Sequence, residues 1–200
     1  MAITNGYCTL AEVKAALRLT DSTDDTLLEN AIEGASRRVD GFCGRFFYKT
    51  NATAVSYIAR TYYVLTTDDI SSSTNLVVKT DDNGDGTFET TWTYGVDYSI
   101  EPLNSGVLQR PYRRISAIGA KTFPINIPPS PPYVQVTAEW GWSAVPDDIR
   151  EATILLAMRG FARYNAALGI VGFGDMAMNV RAVDPDVREM INPYRLIAVA

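Results

Sequence analysis

The sequence has no histidine. That removes the most frequent general base, the usual serine and cysteine protease dyads and most zinc sites. It has two cysteines, Cys8 and Cys43, with no CxxC spacing, so a disulfide framework is excluded and two reduced structural thiols are expected. No apolar run approaches the length that spans a bilayer; the longest, residues 152–158, reads as buried helix. The N-terminus MAITNGYCTL lacks a charged n-region and an apolar h-region, so no secretory signal is expected and synthesis in a cytoplasm is. Basic charge is scarce: the net charge is −5, and the one dense basic cluster is Arg110, Arg113 and Arg114 in QRPYRR. Polyanion binding usually comes with a basic face, whereas an acidic protein past which DNA slides would repel phosphates and limit sticking.

What is present is 200 residues with an ordinary apolar share of 46%, enough for one sizeable core or two small ones. Thr9-Leu10-Ala11-Glu12 is a capping box, and Leu10, Val13 and Leu17 follow at helical spacing, predicting a helix over 9–19. A second helix is predicted over 25–41, with Leu28, Ile32, Ala35, Val39 and Phe42 on its buried stripe and Gly41 and Gly44 ending it. From residue 50 the period changes from helical to alternating. Strands are predicted over 54–58, 60–66, 75–79, 87–93, 98–101, 114–118 and 133–140, a pattern that suggests a small sandwich or open barrel. The proline-rich stretch 123–132 is expected to be extended but not a central strand. In PYVQVTAEWGWSAVPDDIREA an alternating strand breaks at Trp140-Gly141-Trp142, and Pro146-Asp147-Asp148 opens a helix whose dipole favours both carboxylates. Gly160 in that helix suggests a close backbone approach. The fold class expected is α+β: a helical bundle formed by the N- and C-terminal segments (1–48 and 143–200) with an inserted antiparallel β domain (49–142).

The sharpest chemical candidate is Asp81-Asp82-Asn83-Gly84-Asp85-Gly86-Thr87-Phe88-Glu89. Asp81, Asn83, Asp85 and Gly86 match a calcium loop of the EF-hand type, but its twelfth position is Trp92, which offers no oxygen. Asn-Gly and Asp-Gly are preferred hairpin dipeptides, so Asp81, Asp82, Asn83, Gly84, Asp85 and Gly86 are taken as a protruding hairpin tip. The pairs Asp68-Asp69 and Asp147-Asp148 read as turn and cap residues. Gly169, Gly172 and Gly174 form neither GxGxxG nor a Walker loop. No catalytic residue, metal site or cofactor is expected. Trp92, Trp140 and Trp142 are read as packing residues, with a glycan-binding face as the alternative. Ile170, Val171 and Phe173 sit in a glycine-rich apolar stretch, and Tyr194, Arg195, Leu196, Ile197 and Val199 close the chain. Such residues are more apolar than a finished monomer surface requires, so they are candidates for an interface with a partner or another subunit.

Three blocks together resemble the head–tail connector adaptors of tailed phages. They are Tyr7-Cys8-Thr9 with Leu10, Val13 and Leu17, leading through Asp25, Leu28 and Ala35 to Gly44-Arg45-Phe46-Phe47; residues 136–142 followed by Val145-Pro146-Asp147-Asp148-Ile149 and Ala152; and Asn192-Pro193-Tyr194-Arg195. The resemblance implies a non-enzymatic homo-oligomeric ring, typically dodecameric, in the virion neck, assembled in the host cytoplasm. Such a ring docks on the portal protein, continues the channel through which DNA passes without sequence-specific binding, and closes the packaged head with a stopper or other tail-side neck protein until genome ejection. It also implies that the C-terminal region engages the portal and that no membrane is involved. The large β region departs from compact adaptors. A stopper or tail terminator is the nearer alternative, against which the helical ends argue, and a carbohydrate-binding module is the more distant one.

Overall fold

The computed structural model describes residues 3–125, 132–165, 170–171, 178–179 and 185–196. The chain forms two compact units, Met1–Tyr48 with Val145–Ala200, and Lys49–Ala144.

The first unit is helical. Helix α1 (Leu10–Leu17) starts where expected: the Glu12 amide donates to Thr9 Oγ1 (3.2 Å) and the Thr9 amide donates to Glu12 Oε2 (2.7 Å). It ends two residues earlier than predicted, because Arg18 turns left-handed (φ 59°) and the Leu19 amide closes back on the Lys14 carbonyl. Helix α2 (Asp25–Cys43) buries Leu28, Ala31, Ile32, Ala35, Ser36, Val39 and Cys43. Gly41 does not stop it, contrary to the sequence reading. The stop is Gly44 (φ 66°), whose amide donates to the Asp40 carbonyl at 2.8 Å. The buried stripe correspondingly ends on Cys43, while Phe42 is half-buried.

Helix α4 (Asp147–Asn165) packs on α1, α2 and the later α5 (Pro185–Ile191). Ile149, Ala152, Thr153, Leu156, Ala157 and Phe161 face this core, and Ile154, Leu155 and Met158 are half-buried. A Cβ on Gly160 would meet Ala31 Cβ at 3.6 Å, so α2 and α4 approach closely there. Both cysteine thiols are buried and reduced, and burial raises their pKa, to about 12 for Cys8 and about 11 for Cys43.

The second unit holds two antiparallel sheets. One has the order β1 (Thr53–Tyr57), β7 (Val134–Ala138), β3 (Val77–Thr80), β4 (Thr90–Trp92). The other has the order β2 (Val64–Ile70), β6 (Tyr112–Ala117), β5 (Tyr98–Glu101), with a four-residue helix α3 (Ser105–Leu108) between β5 and β6 that the sequence pattern did not predict. An antiparallel bridge, Ile70 to Trp140, links the sheets, which remain open rather than closing into a barrel. β7 keeps the predicted alternation, with Val134, Val136 and Ala138 buried. β2 begins and ends four residues later than predicted. Its pairing with β6 shifts register between Thr66 and Ile70, and this irregularity carries Asp68 and Asp69 inside the strand rather than in a turn. First and last strands are neighbours: Thr53 faces Ala138, the Thr50 amide donates to the Trp140 carbonyl (2.9 Å), and the Trp140 amide donates to Thr50 Oγ1 (3.0 Å).

Candidate functional site

The chain's closing segment is built onto the end of α2. In α5, Val187 and Ile191 are buried; a 3-10 turn (Asn192–Tyr194) follows, with Pro193 inside its first turn. The Tyr194 ring meets Phe47 edge-on (5.8 Å between centroids), and its hydroxyl donates to Asp148 Oδ2 at 3.1 Å. The Arg195 guanidinium lies over the Phe42 ring (5.6 Å), and the Leu196 amide donates to the Cys43 carbonyl (2.8 Å). That carbonyl is one of the acceptors a helix end leaves unpaired. Tyr194, Arg195 and Leu196 are thus gathered into one place with Phe42 and Phe47. Ile170 and Val171 form a two-residue strand, β8, pairing with β9 (Met178–Asn179). Phe173, Ile197 and Val199 lie outside the described residues.

The loop between Thr80 and Thr90 is organised around one carboxylate. Asp81 accepts from the Gly84 amide (2.6 Å) on one oxygen and from the Gly86 amide (2.8 Å) on the other. Gly84 (φ 81°) and Gly86 (φ 89°) supply the left-handed backbone that brings those amides round. Asp81 is 1% exposed, which corrects its placement at a hairpin tip: the exposed tip is Asp82, Asn83, Gly84, Asp85 and Gly86, and Asp81 is its buried base. Ligand oxygens of Asp81, Asp85 and Glu89 lie within 4.8 Å of one another. Thr87 donates its amide to Asp85 (2.8 Å), which holds that carboxyl below its ordinary pKa. Trp92, at the twelfth position, is a core residue: it stacks on Phe123 (4.6 Å, 17°), and its indole N–H donates to Thr80 Oγ1 (3.2 Å).

The other tryptophans are buried too. Trp140 donates to the Thr53 carbonyl (2.8 Å) and Trp142 to Asp69 Oδ2 (3.2 Å). No indole face is offered to a sugar, so the glycan-binding reading loses the three residues it rested on. Asp69 explains part of the basic cluster: Arg113 Nε lies 3.4 Å from its carboxylate, while Arg110 and Arg114 are exposed. The acidic pairs diverge. Asp68 accepts from Tyr57 (2.9 Å) while Asp69 points into the core, and Asp147 accepts from Arg150 (2.6 Å) while Asp148 accepts from Tyr194. Neither pair converges on a common point in the manner of an acid–base couple.

Residues 7–101, just under half of the chain, match a family model described as phage gp6-like head-tail connector protein. Over those residues the chain is similar to that connector family. In fold, the whole chain is similar to a chain from the neck of an empty gene transfer agent particle computed with C6 symmetry. The TM-score is 0.59 and the identity 22%, over 100% of this chain and 95% of that one. It is also similar to a chain from the virion of the native gene transfer agent particle, with TM-score 0.56, identity 20% and the same coverage. No curated protein matches in sequence.

The connector match runs from Tyr7 to Glu101, so it takes in α1, α2, the Asp81 loop and β5, and stops before α4 and the closing segment. One feature that sequence reasoning missed lies partly inside it. A groove of about 320 Å³ between α2 and α4 is lined by Ala31, Gly34, Ala35, Arg38, Gly160 and Arg163. Its sequence signal is the run of small residues on one side of α2, at spacing that continues the buried stripe.

Proposed function

We propose that the chain is a structural protein of a phage-type neck, an adaptor whose copies form a ring between a DNA-filled head and its tail. The observation that carries this reading is the connector-family match over residues 7–101, and the full-length likeness in fold to a neck chain supports it. The ring docks on the portal protein, continues the DNA channel and meets a stopper or other tail-side neck protein. The closing segment around Tyr194, Arg195 and Leu196, with Ile170, Val171, Phe173, Ile197 and Val199, engages the portal or a neighbouring subunit. The exposed loop tip Asp82–Gly86 reaches toward the next neck component. A net charge of −5 suits a wall past which phosphates slide without adhering. The work is mechanical, with no bond made or broken.

The test is deletion of the gene in the producing strain, followed by electron microscopy of the particles. Filled or partly leaked heads without attached tails are expected, with complementation restoring the joint. Normal tailed particles in the deletion strain would refute the proposal.

A further inference from the structure

Two chemically labile junctions, Asn83-Gly84 and Asp85-Gly86, stand side by side in the loop between β3 and β4. Asparagine is a thermolabile residue, most of all before glycine, which has no side chain to hinder attack by its own nitrogen. At Asn83 the Gly84 nitrogen attacks the side-chain Cγ. A bond from nitrogen to Cγ forms and the Cγ–Nδ2 bond breaks. Nδ2 leaves as ammonia, the amide proton of Gly84 passes to it through solvent, and a succinimide remains. Water then opens the ring to aspartate or isoaspartate. At Asp85 the Gly86 nitrogen closes the same ring by expelling water from a protonated carboxyl, and a second water reopens it. Asn83 and Asp85 are both exposed, so solvent reaches them freely.

Ring closure consumes the glycine N–H, and here both glycine N–H groups are already engaged. Asp81 Oδ1 accepts from the Gly84 amide at 2.6 Å, and Oδ2 accepts from the Gly86 amide at 2.8 Å. The acceptor is fixed from outside the loop: Asp81 is 1% exposed, and its own amide donates to the Tyr133 carbonyl (2.9 Å). A nitrogen that sheds its proton to attack gains negative charge, which a carboxylate oxygen at 2.6 Å opposes. A charge-assisted bond of this class must break before the ring can close, which corresponds to a rate roughly tenfold to a hundredfold lower. The electrophiles are held as well. Asn83 Oδ1 accepts from the Asp85 amide (2.9 Å), and Nδ2 donates to Asp85 Oδ2 (3.2 Å). The Thr87 amide holds the Asp85 carboxyl below its ordinary pKa, and an ionised carboxylate does not expel water. At Asn5-Gly6, the chain's other Asn-Gly junction, the Gly6 amide has no acceptor among the described residues.

We propose that Asn83 is a latent deamidation site, and that the buried Asp81 carboxylate keeps both Asn83-Gly84 and Asp85-Gly86 from closing by holding their glycine amides. Conversion at Asn83 adds a carboxylate to a tip that already carries Asp82, Asp85 and Glu89, and removes the donor that Asn83 offers to Asp85. The isoaspartate product also reroutes the backbone through the side chain. One buried carboxylate thus preserves both the charge and the path of the exposed tip. The chemistry does not depend on the neck reading.

The test ages the purified full-length chain in mildly alkaline buffer, both native and in urea. Peptide mapping by mass spectrometry then measures aspartate and isoaspartate formed at Asn83 and isoaspartate formed at Asp85. In the native chain Asn83 should convert at least about tenfold more slowly than in urea. Equal rates in the two conditions would overturn the proposal without any variant. Asp81→Ala should carry the native rate at Asn83 most of the way to the urea rate while the far-UV and indole spectra stay native. Asp81→Asn, nearly the same shape, puts an amide nitrogen where one acceptor oxygen stood, so conversion should rise at Asn83 or at Asp85. No rise at either would sink the idea, even if Asp81→Ala fails to fold. Thr90→Val removes a different bond of the same loop, the one its hydroxyl donates to Asp82 (2.7 Å), and should leave both junctions slow. Equal acceleration by Thr90→Val and Asp81→Asn would assign the protection to loop rigidity in general and take it away from Asp81.

Discussion

Replacing Tyr7 by Phe isolates one hydroxyl at the centre of the helical unit. The Tyr7 ring is buried, edge-on to Phe47 (5.6 Å) with the Arg37 guanidinium over its face (5.7 Å), and phenylalanine keeps both contacts. The hydroxyl donates to Asp40 Oδ1 and accepts from the Phe47 amide at 2.8 Å. Its loss takes an acceptor from a buried N–H, at about 1–3 kcal/mol, and removes a bond to a carboxylate that would be worth about 1.5–3 kcal/mol if fully buried. Asp40 keeps Arg37 Nε at 3.2 Å and is one-fifth exposed, so water replaces part of the second term. About 2–3 kcal/mol remains.

The penalty depends on pH. Burial raises the Asp40 pKa and the Tyr7 hydroxyl lowers it, with burial the larger effect. In the native protein this raised carboxyl contributes stability that is fully present below its unfolded pKa and is lost as pH rises through the folded value. Without the hydroxyl the folded pKa climbs further. The excess penalty of Tyr7→Phe is therefore complete above that higher value and shrinks as pH falls through it, leaving the loss at the Phe47 amide. Urea unfolding followed at 222 nm reads this unit, since α1, α2, α4 and α5 all belong to it. A change below about 0.5 kcal/mol at neutral pH, or a penalty that is flat with pH, would refute the reasoning.

Asp81→Ala removes the acceptor of two loop amides and should cost about 2–4 kcal/mol, with amide exchange at Gly84 and Gly86 accelerating first; slow exchange retained at both would count against the carboxylate as organiser. Trp142→Phe strips the indole donor from buried Asp69, leaving Arg113; indole-fluorescence unfolding should show a loss of about 1.5–3 kcal/mol, and a neutral result would mean Asp69 is satisfied without it. Gly160→Ala should be neutral or stabilising by up to about 1 kcal/mol, because the new methyl meets Ala31 at an ordinary 3.6 Å and the helix gains propensity; a clear thermal destabilisation would show that α2 and α4 tolerate no methyl between them.

Local chemistry made some of this legible. The capping box at Thr9 and the alternation of Val134, Val136 and Ala138 are each written within a few residues, and each appears as written. What failed depended on partners distant in sequence. Gly41 and Gly44 look alike as stops, but only Gly44 is needed in the left-handed region. Asp68-Asp69 reads as a turn until Trp142 and Arg113 are placed around Asp69. Asp81 reads as a loop-tip acid until two glycine amides fold back on it. Helix α3 was missed because Leu103, Val107 and Leu108 follow neither a strand nor a long-helix period. Of the closing segment, the apolar character was evident, but not its seat on Phe42, Phe47 and Cys43.

The pairing of β1 with β7 has a genetic consequence. Because Thr50 is bonded to Trp140 and Thr53 faces Ala138, the two ends of the β unit lie side by side. Closing a loop costs an entropy that grows only slowly with its length, and a unit whose end strands already pair has that closure built in. Such a unit can be lengthened, exchanged or lost in a single recombination event without unpicking the helices on either side. A component of this build can exchange its β unit while the helices on either side in sequence stay as they are.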